Sequence, residues 1–180
     1  MRIIVGLTGL SGSGKTEVAN CFEQQEEYSV VRLGKYLRER YWVEKREGES
    51  IEDYAERYRF HSIGEYMQND IRELQQNRKI IIVDSLRTAA DYNYFKSCTD
   101  KFILIMIMAE KQKRINWILN RRREGDVENN WKLQAHDYWE MSFGIDKLMV
   151  LADHFVINDN SIEDMYQTIK SNLKKYEEYI

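Results

Sequence analysis

Gly9-Leu10-Ser11-Gly12-Ser13-Gly14-Lys15-Thr16 satisfies the phosphate-binding pattern G-x-x-x-x-G-K-[ST] at every fixed position. The apolar run Ile3-Ile4-Val5-Gly6-Leu7-Thr8 precedes it and reads as a buried strand, and Val18, Ala19 and Phe22 follow at helical spacing. Strand, loop and helix in that order predict a site for nucleotide phosphates. A chain that wraps a triphosphate with its N–H groups inward needs positive φ and no Cβ at the closest approaches, which assigns a purpose to Gly9, Gly12 and Gly14. Leu10, Ser11 and Ser13 complete the loop. The helix starting near Gly14 adds unpaired N–H groups and a positive dipole end. Lys15 then supplies a cation for the β and γ phosphates, and the Thr16 hydroxyl a ligand for Mg²⁺.

Outward from this loop, strands alternate with helices. Tyr28–Leu33, Lys79–Asp84, Phe102–Met108 and Ala152–Ile157 read as further strands. Lys35–Lys45, Ala89–Ser97 and Lys111–Arg123 read as helices, and Ser161 opens a last helix with Met165, Tyr166, Ile169 and Leu173 facing inward. Ser50, with Asp53 three residues on, caps a long helix expected to reach about Gln76 and to bend near Gly64. The segment 124–144 mixes polar residues with Trp131, Tyr138, Trp139 and Phe143, which suits a mobile helical cover. Five strands separated by helices predict an α/β three-layer sandwich around a parallel sheet, with ligands outside the carboxyl ends of the strands. The expectation is one domain over residues 1–180.

Composition narrows the partners. With 27 basic and 30 acidic residues the net charge is −3, so no global field draws in nucleic acid or an anionic membrane, and neither is expected as a partner. Cys21 and Cys98 are too few for a disulfide framework, and the chain enters a core strand without a signal-like segment; both point to the cytoplasm. The sequence leaves the oligomeric state open.

Asp84 closes a hydrophobic strand, as a Walker B carboxylate does, where it would hold Mg²⁺; capping the next helix is its plain alternative. Arg121 and Arg123 follow the fourth strand at a distance suited to closing over a transferred phosphoryl group, against the alternative of a solvated basic helix end. Arg38 and Arg87 each follow a strand closely and point toward the crevice, where a phosphorylated acceptor would need cations; a surface ion pair is the rival role. His61, His136 and His154 share no metal-like spacing and read as structural. Tyr54, Tyr58, Trp131 and Trp139 are aromatic enough to stack on a base, although packing suits each better.

The ordered set of these motifs resembles the P-loop nucleotide kinases of the adenylate-kinase-related, dephospho-CoA-kinase-like family. The resemblance rests on the phosphate loop, on Val83-Asp84-Ser85-Leu86-Arg87 with Asp91 and Tyr94-Phe95, and on Arg114 with Arg121 and Arg123. It continues through Gly144-Ile145-Asp146 and Ala152-Asp153-His154-Phe155-Val156-Ile157-Asn158. It implies ATP and Mg²⁺ in the crevice, with Asn158 among the ATP-binding residues and the loop after it beside the adenine, an acceptor region over residues 34–77, and a lid over 121–143. Three departures stand out. Ser85 replaces a usual glycine, Ala135-His136-Asp137 replaces an arginine-arginine-aspartate lid motif, and the proline found after the strand carboxylate in dephospho-CoA kinases is missing. The expected activity is ATP-dependent phosphoryl transfer to a small phosphorylated acceptor, a nucleoside or deoxynucleoside monophosphate first. A regulatory ATP-binding protein with weak ATPase activity, and a dephospho-CoA kinase, are the alternatives.

Overall fold

Strand β1 (Ile3–Thr8) is apolar along its length, all six residues are buried, and it therefore occupies the middle of the sheet. The computed structural model describes residues 3–77, 79–121, 130–159 and 161–177. Around β1 lie β2 (Tyr28–Arg32), β3 (Ile80–Leu86), β4 (Lys101–Met108) and β5 (His154–Ile157), in the order β2-β3-β1-β4-β5. Every pairing is parallel, as the sequence predicts. After β1 the chain crosses to one side of the sheet, and after β3 it crosses to the other. The crevice of such a sheet opens where the direction reverses, at the carboxyl ends of β1 and β3. Leu7 of β1 lies opposite Asp84 of β3 there.

The period of two in the strands divides their side chains between two cores. Ile3, Val5, Leu7, Ile82 and Ile105 face α1 (Lys15–Glu23) and α10 (Ile162–Glu177), where Phe22, Tyr166 and Ile169 close the layer. Ile4, Ile81, Val83 and Leu104 face the opposite layer. That layer contains α2 (Leu33–Glu44), the short α4 (Ile63–Tyr66), α5 (Gln68–Asn77), α6 (Ala89–Ser97) and α9 (Asp146–Leu151). Helices α7 (Lys111–Arg121) and α8 (Asn130–Glu140) pack on each other through Ile115, Ile118 and Leu133. No helix among the described residues is long and apolar enough to cross a membrane.

The single long helix expected from residue 51 to 76 is instead three: α3 (Ile51–Arg57), α4 and α5. Its start is as read, with Ser50 and Asp53 forming a reciprocal capping box. The interruption has a local cause. The chain turns over residues 58–61 and restarts at Ser62, whose hydroxyl accepts the Gly64 N–H at 3.0 Å. Gly64 lies against α6 so closely that a Cβ would stand 2.6 Å from the Tyr94 ring. A straight helix could not deliver that contact.

One carboxylate fastens this region to the sheet. Asp91, in the first turn of α6 and 3% exposed, accepts from Ser62 Oγ (3.0 Å), the Ile63 N–H (2.9 Å) and Thr88 Oγ1 (2.9 Å). It thus serves the start of α4 and, together with Thr88, the start of its own helix. Burial pushes its pKa up, against the pull of these hydrogen bonds. Replacing Asp91 with alanine strands several buried donors, and we expect a loss of about 3 kcal/mol of stability in urea denaturation, with the melting of α3–α5 leading that of the sheet.

Candidate functional site

The chain leaves β1 in backbone conformations open to glycine. Gly9, Gly12 and Gly14 have φ of 137°, 79° and 99°, as the loop motif requires. At Gly9 the constraint is absolute, because a Cβ would lie 2.2 Å from the Ile107 carbonyl oxygen of β4. Gly14 caps α1, so the first N–H groups of that helix open toward the loop. Asn158, expected to bind ATP, sits 2% exposed at the end of β5 and braces the loop by donating to the Ser13 carbonyl at 3.0 Å.

Lys15 is buried, and its Nζ donates back to the carbonyls of Gly9 (2.7 Å) and Leu10 (2.9 Å). Burial lowers its pKa to about 8; Arg87 and Arg114 push it the same way, while Glu140 and Asp84 oppose them. Thr16 Oγ1 donates to Asp84 Oδ2 at 2.9 Å, and Ser85 Oγ donates to Oδ1 of the same carboxylate, also at 2.9 Å. Ser85 has φ of 72°, the one non-glycine in the left-handed region among the described residues. Asp84 does not cap the next helix, because Thr88 does. A hydroxyl and a carboxylate side by side at the mouth of the loop are hard oxygen donors of the kind Mg²⁺ takes. Among the described residues no cluster of three or more His, Cys, Asp or Glu side chains surrounds them, so phosphate and water oxygens would have to complete a coordination shell.

The segment expected to be a mobile cover carries a buried acid into the loop. Glu140, 1% exposed at the end of α8, accepts the Ser11 N–H at 2.7 Å and the Ser11 hydroxyl at 2.9 Å, and it pairs with Arg87. Its burial alone would raise its pKa, but Arg87, Lys15 and His136 outweigh this and hold it near 2. His136 stands 3.7 Å from it. Asp137, one turn earlier, forms a two-pronged pair with Arg114 (2.9 and 2.5 Å), and Arg114 also donates to the Ser11 carbonyl at 2.7 Å. Arg114 is therefore a clasp between α7, α8 and the loop. A π-helical turn, Met141–Ile145, follows Glu140, and its Gly144 (φ 142°) rests on the Arg87 carbonyl, where a Cβ would approach to 3.0 Å.

Sequence reading missed Glu140 as a site residue. Leu133, Asp137, Glu140 and Gly144 fall at i, i+4, i+7 and i+11, and that stripe marks the inward face of the segment. The aromatic residues drew the attention instead. Tyr54 and Tyr58 donate to Glu44 at 2.8 and 3.0 Å and so hold the α2–α3 region together. His154 pairs with the Tyr176 hydroxyl at 2.8 Å, a structural role.

A cleft of about 980 Å³ joins these parts. Ser11, Gly12, Lys15, Thr16, Asp84 and Arg87 line it, as do Trp117, Asn158 and Ile162. Leu37, Arg38, Ile51, Ala55, Trp139 and Phe143 line it too. Arg38 is exposed and has no ion pair among the described residues. Arg123 and the side chains of Arg121 and Trp131, all expected near the site, lie outside the described residues.

Residues 5–136 match the family model described as an AAA domain. The chain is 30% identical over 173 residues to a UPF0200 protein of Sulfurisphaera tokodaii, covering 96% of each chain. It is 28% identical to the UPF0200 protein MJ1399 of Methanocaldococcus jannaschii, over 98% of this chain and 95% of the other. Among solved structures, TT1252 from Thermus thermophilus superposes with a TM-score of 0.65 at 16% identity, over 97% of each chain. Shikimate kinase from Acinetobacter baumannii, in complex with shikimate, gives 0.61 at 15% identity over 98% and 95%. At such identities the likeness shows the P-loop kinase type of fold.

A lysine that titrates at about 8 makes anion binding sensitive to mild alkali. The charged form pairs with phosphate, so affinity holds below that pH and falls as pH rises through it, by about tenfold for the first full unit above. Calorimetric titration with ATP at pH 7.5, 8.5 and 9.5 measures this. Lys15→Arg, which stays charged, should flatten the profile.

Proposed function

The chain belongs to the UPF0200 family and is built on an AAA domain, and from that premise we propose that it transfers the γ-phosphoryl group of ATP to a small phosphorylated acceptor, by preference a nucleoside or deoxynucleoside monophosphate. The observation that carries this reading is the single cleft lined by a phosphate loop, the Thr16–Asp84 pair, Arg87 and Arg38. One anion site would serve an ATPase. A second set of cations beside it serves a reaction between two anionic substrates, whose mutual repulsion the protein must offset before they approach in line.

The roles follow from position. Gly9 to Thr16 would cradle the triphosphate, with Lys15 turning from the Gly9 and Leu10 carbonyls to the β and γ oxygens. Thr16 and Asp84 would hold Mg²⁺, which, when bound, neutralises charge on the β and γ phosphates. Arg87, at the junction of the two halves, and Arg38 would orient the acceptor phosphate. Leu37, Ile51 and Ala55 line the same cleft as Trp139 and Phe143, whose rings lie 4.9 Å apart at 31°, and together they would offer a planar, partly apolar acceptor both apolar contact and a stacking surface. The segment around α8 would keep water from the γ-phosphate. Arg121 and Arg123 remain the arginines proposed to close over the transferred group. The resemblance to adenylate-kinase-related enzymes supports the monophosphate acceptor, and the missing proline after Asp84 speaks against a coenzyme A precursor.

Formation of ADP from Mg²⁺-ATP across nucleoside and deoxynucleoside monophosphates, with shikimate and dephospho-CoA alongside, tests the reading. One monophosphate should raise turnover to about 1–100 per second. Lys15→Ala should reduce it by about 100-fold or more while the thermal melt stays within a few degrees. A rate that ignores every acceptor would replace the kinase with an ATP-binding regulator.

A further inference from the structure

Glu140 is the one carboxylate whose oxygens take both the backbone and the side-chain donor of Ser11, inside a phosphate loop, while pairing with Arg87. Those donors are the kind that a phosphate oxygen takes: a loop N–H, a hydroxyl and a guanidinium, with the Lys15 charge close by. Lys15 itself is folded back on two carbonyls of the loop. A carboxylate and a terminal phosphate cannot share these donors, since both are anions seeking the same N–H, hydroxyl and guanidinium groups.

We propose that Glu140 is an internal anion seated where the terminal phosphate of the nucleotide binds, so that the nucleotide must displace it before the donor site is complete. This rests on the phosphate loop reading of the proposed function and not on the identity of the acceptor. The surroundings fit a displaceable residue. Glu140 closes α8 and is followed at once by the π-helical turn Met141–Ile145 with its left-handed Gly144, a break able to absorb backbone rotation. The Arg114–Asp137 pair, one turn earlier, keeps the rest of α8 on α7 when the acid leaves. Departure also frees Arg87, whose partner among the described residues is this acid, for the acceptor phosphate beside the incoming nucleotide. The remaining groups facing Glu140 are Lys15, whose charge favours an anion there whichever anion it is, and the His136 ring at 3.7 Å. Ligand binding and the release of a helix end are thereby the same event, which makes Glu140 a determinant of nucleotide affinity.

Two measurements with inorganic pyrophosphate decide the matter, neither of which needs an acceptor or turnover. In calorimetry without metal, Glu140→Gln should bind pyrophosphate about tenfold or more tightly than the unaltered protein, since the neutral amide no longer competes as an anion. Equal or weaker binding would overturn the proposal, and binding by neither protein would overturn it together with the phosphate loop reading. Hydrogen exchange on the unaltered protein guards against a variant that misfolds: pyrophosphate should make the amides of 140–146 exchange faster while those of the loop become protected. Unchanged or slower exchange over 140–146 would also overturn it. A kinase assay that finds no acceptor leaves both results standing, so the two readings fail separately.

Discussion

A loop that turns its N–H groups into one hollow gathers positive potential that something must neutralise, and much of this molecule is arranged around that demand. The loop holds its shape because β1 pairs on both sides, leaving Gly9 against the Ile107 carbonyl of β4 and the Thr8 hydroxyl on the Leu86 carbonyl of β3 at 2.9 Å. Neither contact tolerates a shift of the strand. Asn158 holds the loop from β5, and Arg114 holds the Ser11 carbonyl from α7. With the backbone so fixed, the donors cannot relax toward one another. They are met by carbonyls at Lys15 and by Glu140 at Ser11.

That arrangement explains two charge states that would otherwise conflict. Lys15 is buried among like charges and titrates low, whereas Glu140 is equally buried yet stays ionised well into acid. The difference lies in the count of neighbours. Glu140 has Arg87, Lys15 and His136 around it and a loop N–H in line, whereas Lys15 shares its two acids with two arginines. The hollow is built for negative charge, and Lys15, held on two loop carbonyls, is a cation that a phosphate would recruit.

Sequence made the fold and the loop legible because each rested on local rules. Apolar runs gave the strands, glycine spacing gave the loop, and Ser50 and Ser161 gave helix starts that the structure repeats. Three features escaped because their causes are not local. The break after α3 comes from Asp91, 28 and 29 residues away, and from Gly64 pressed onto Tyr94. Tyr54, Tyr58, His61, Glu65 and Gln68 keep a helical period straight through it. The role of Arg114 depends on Asp137 across a helix pair, and Glu140 meets Ser11 across 129 residues. A charged side chain in an aromatic, polar segment carries no mark of burial; only its place on the stripe with Leu133 and Asp137 does.

The stretch from Asp84 to Asp91 is where these separate parts meet. Asp84 takes the Thr16 hydroxyl from the loop, and Ser85 accepts a left-handed backbone to turn the strand end beneath it. Arg87 reaches Glu140 while its carbonyl carries Gly144, so α8 and the π-helical turn both bear on one residue. Thr88 and Asp91 then anchor the start of α4. Strain at Ser85 costs of order 1 kcal/mol, and a left-handed serine persists only where its surroundings over-determine it, as they do here. The loop, α8 with its π-helical turn, and the start of α4 thus all fasten to eight consecutive residues, so that Arg87 stands between three parts of the chain that are far apart in sequence.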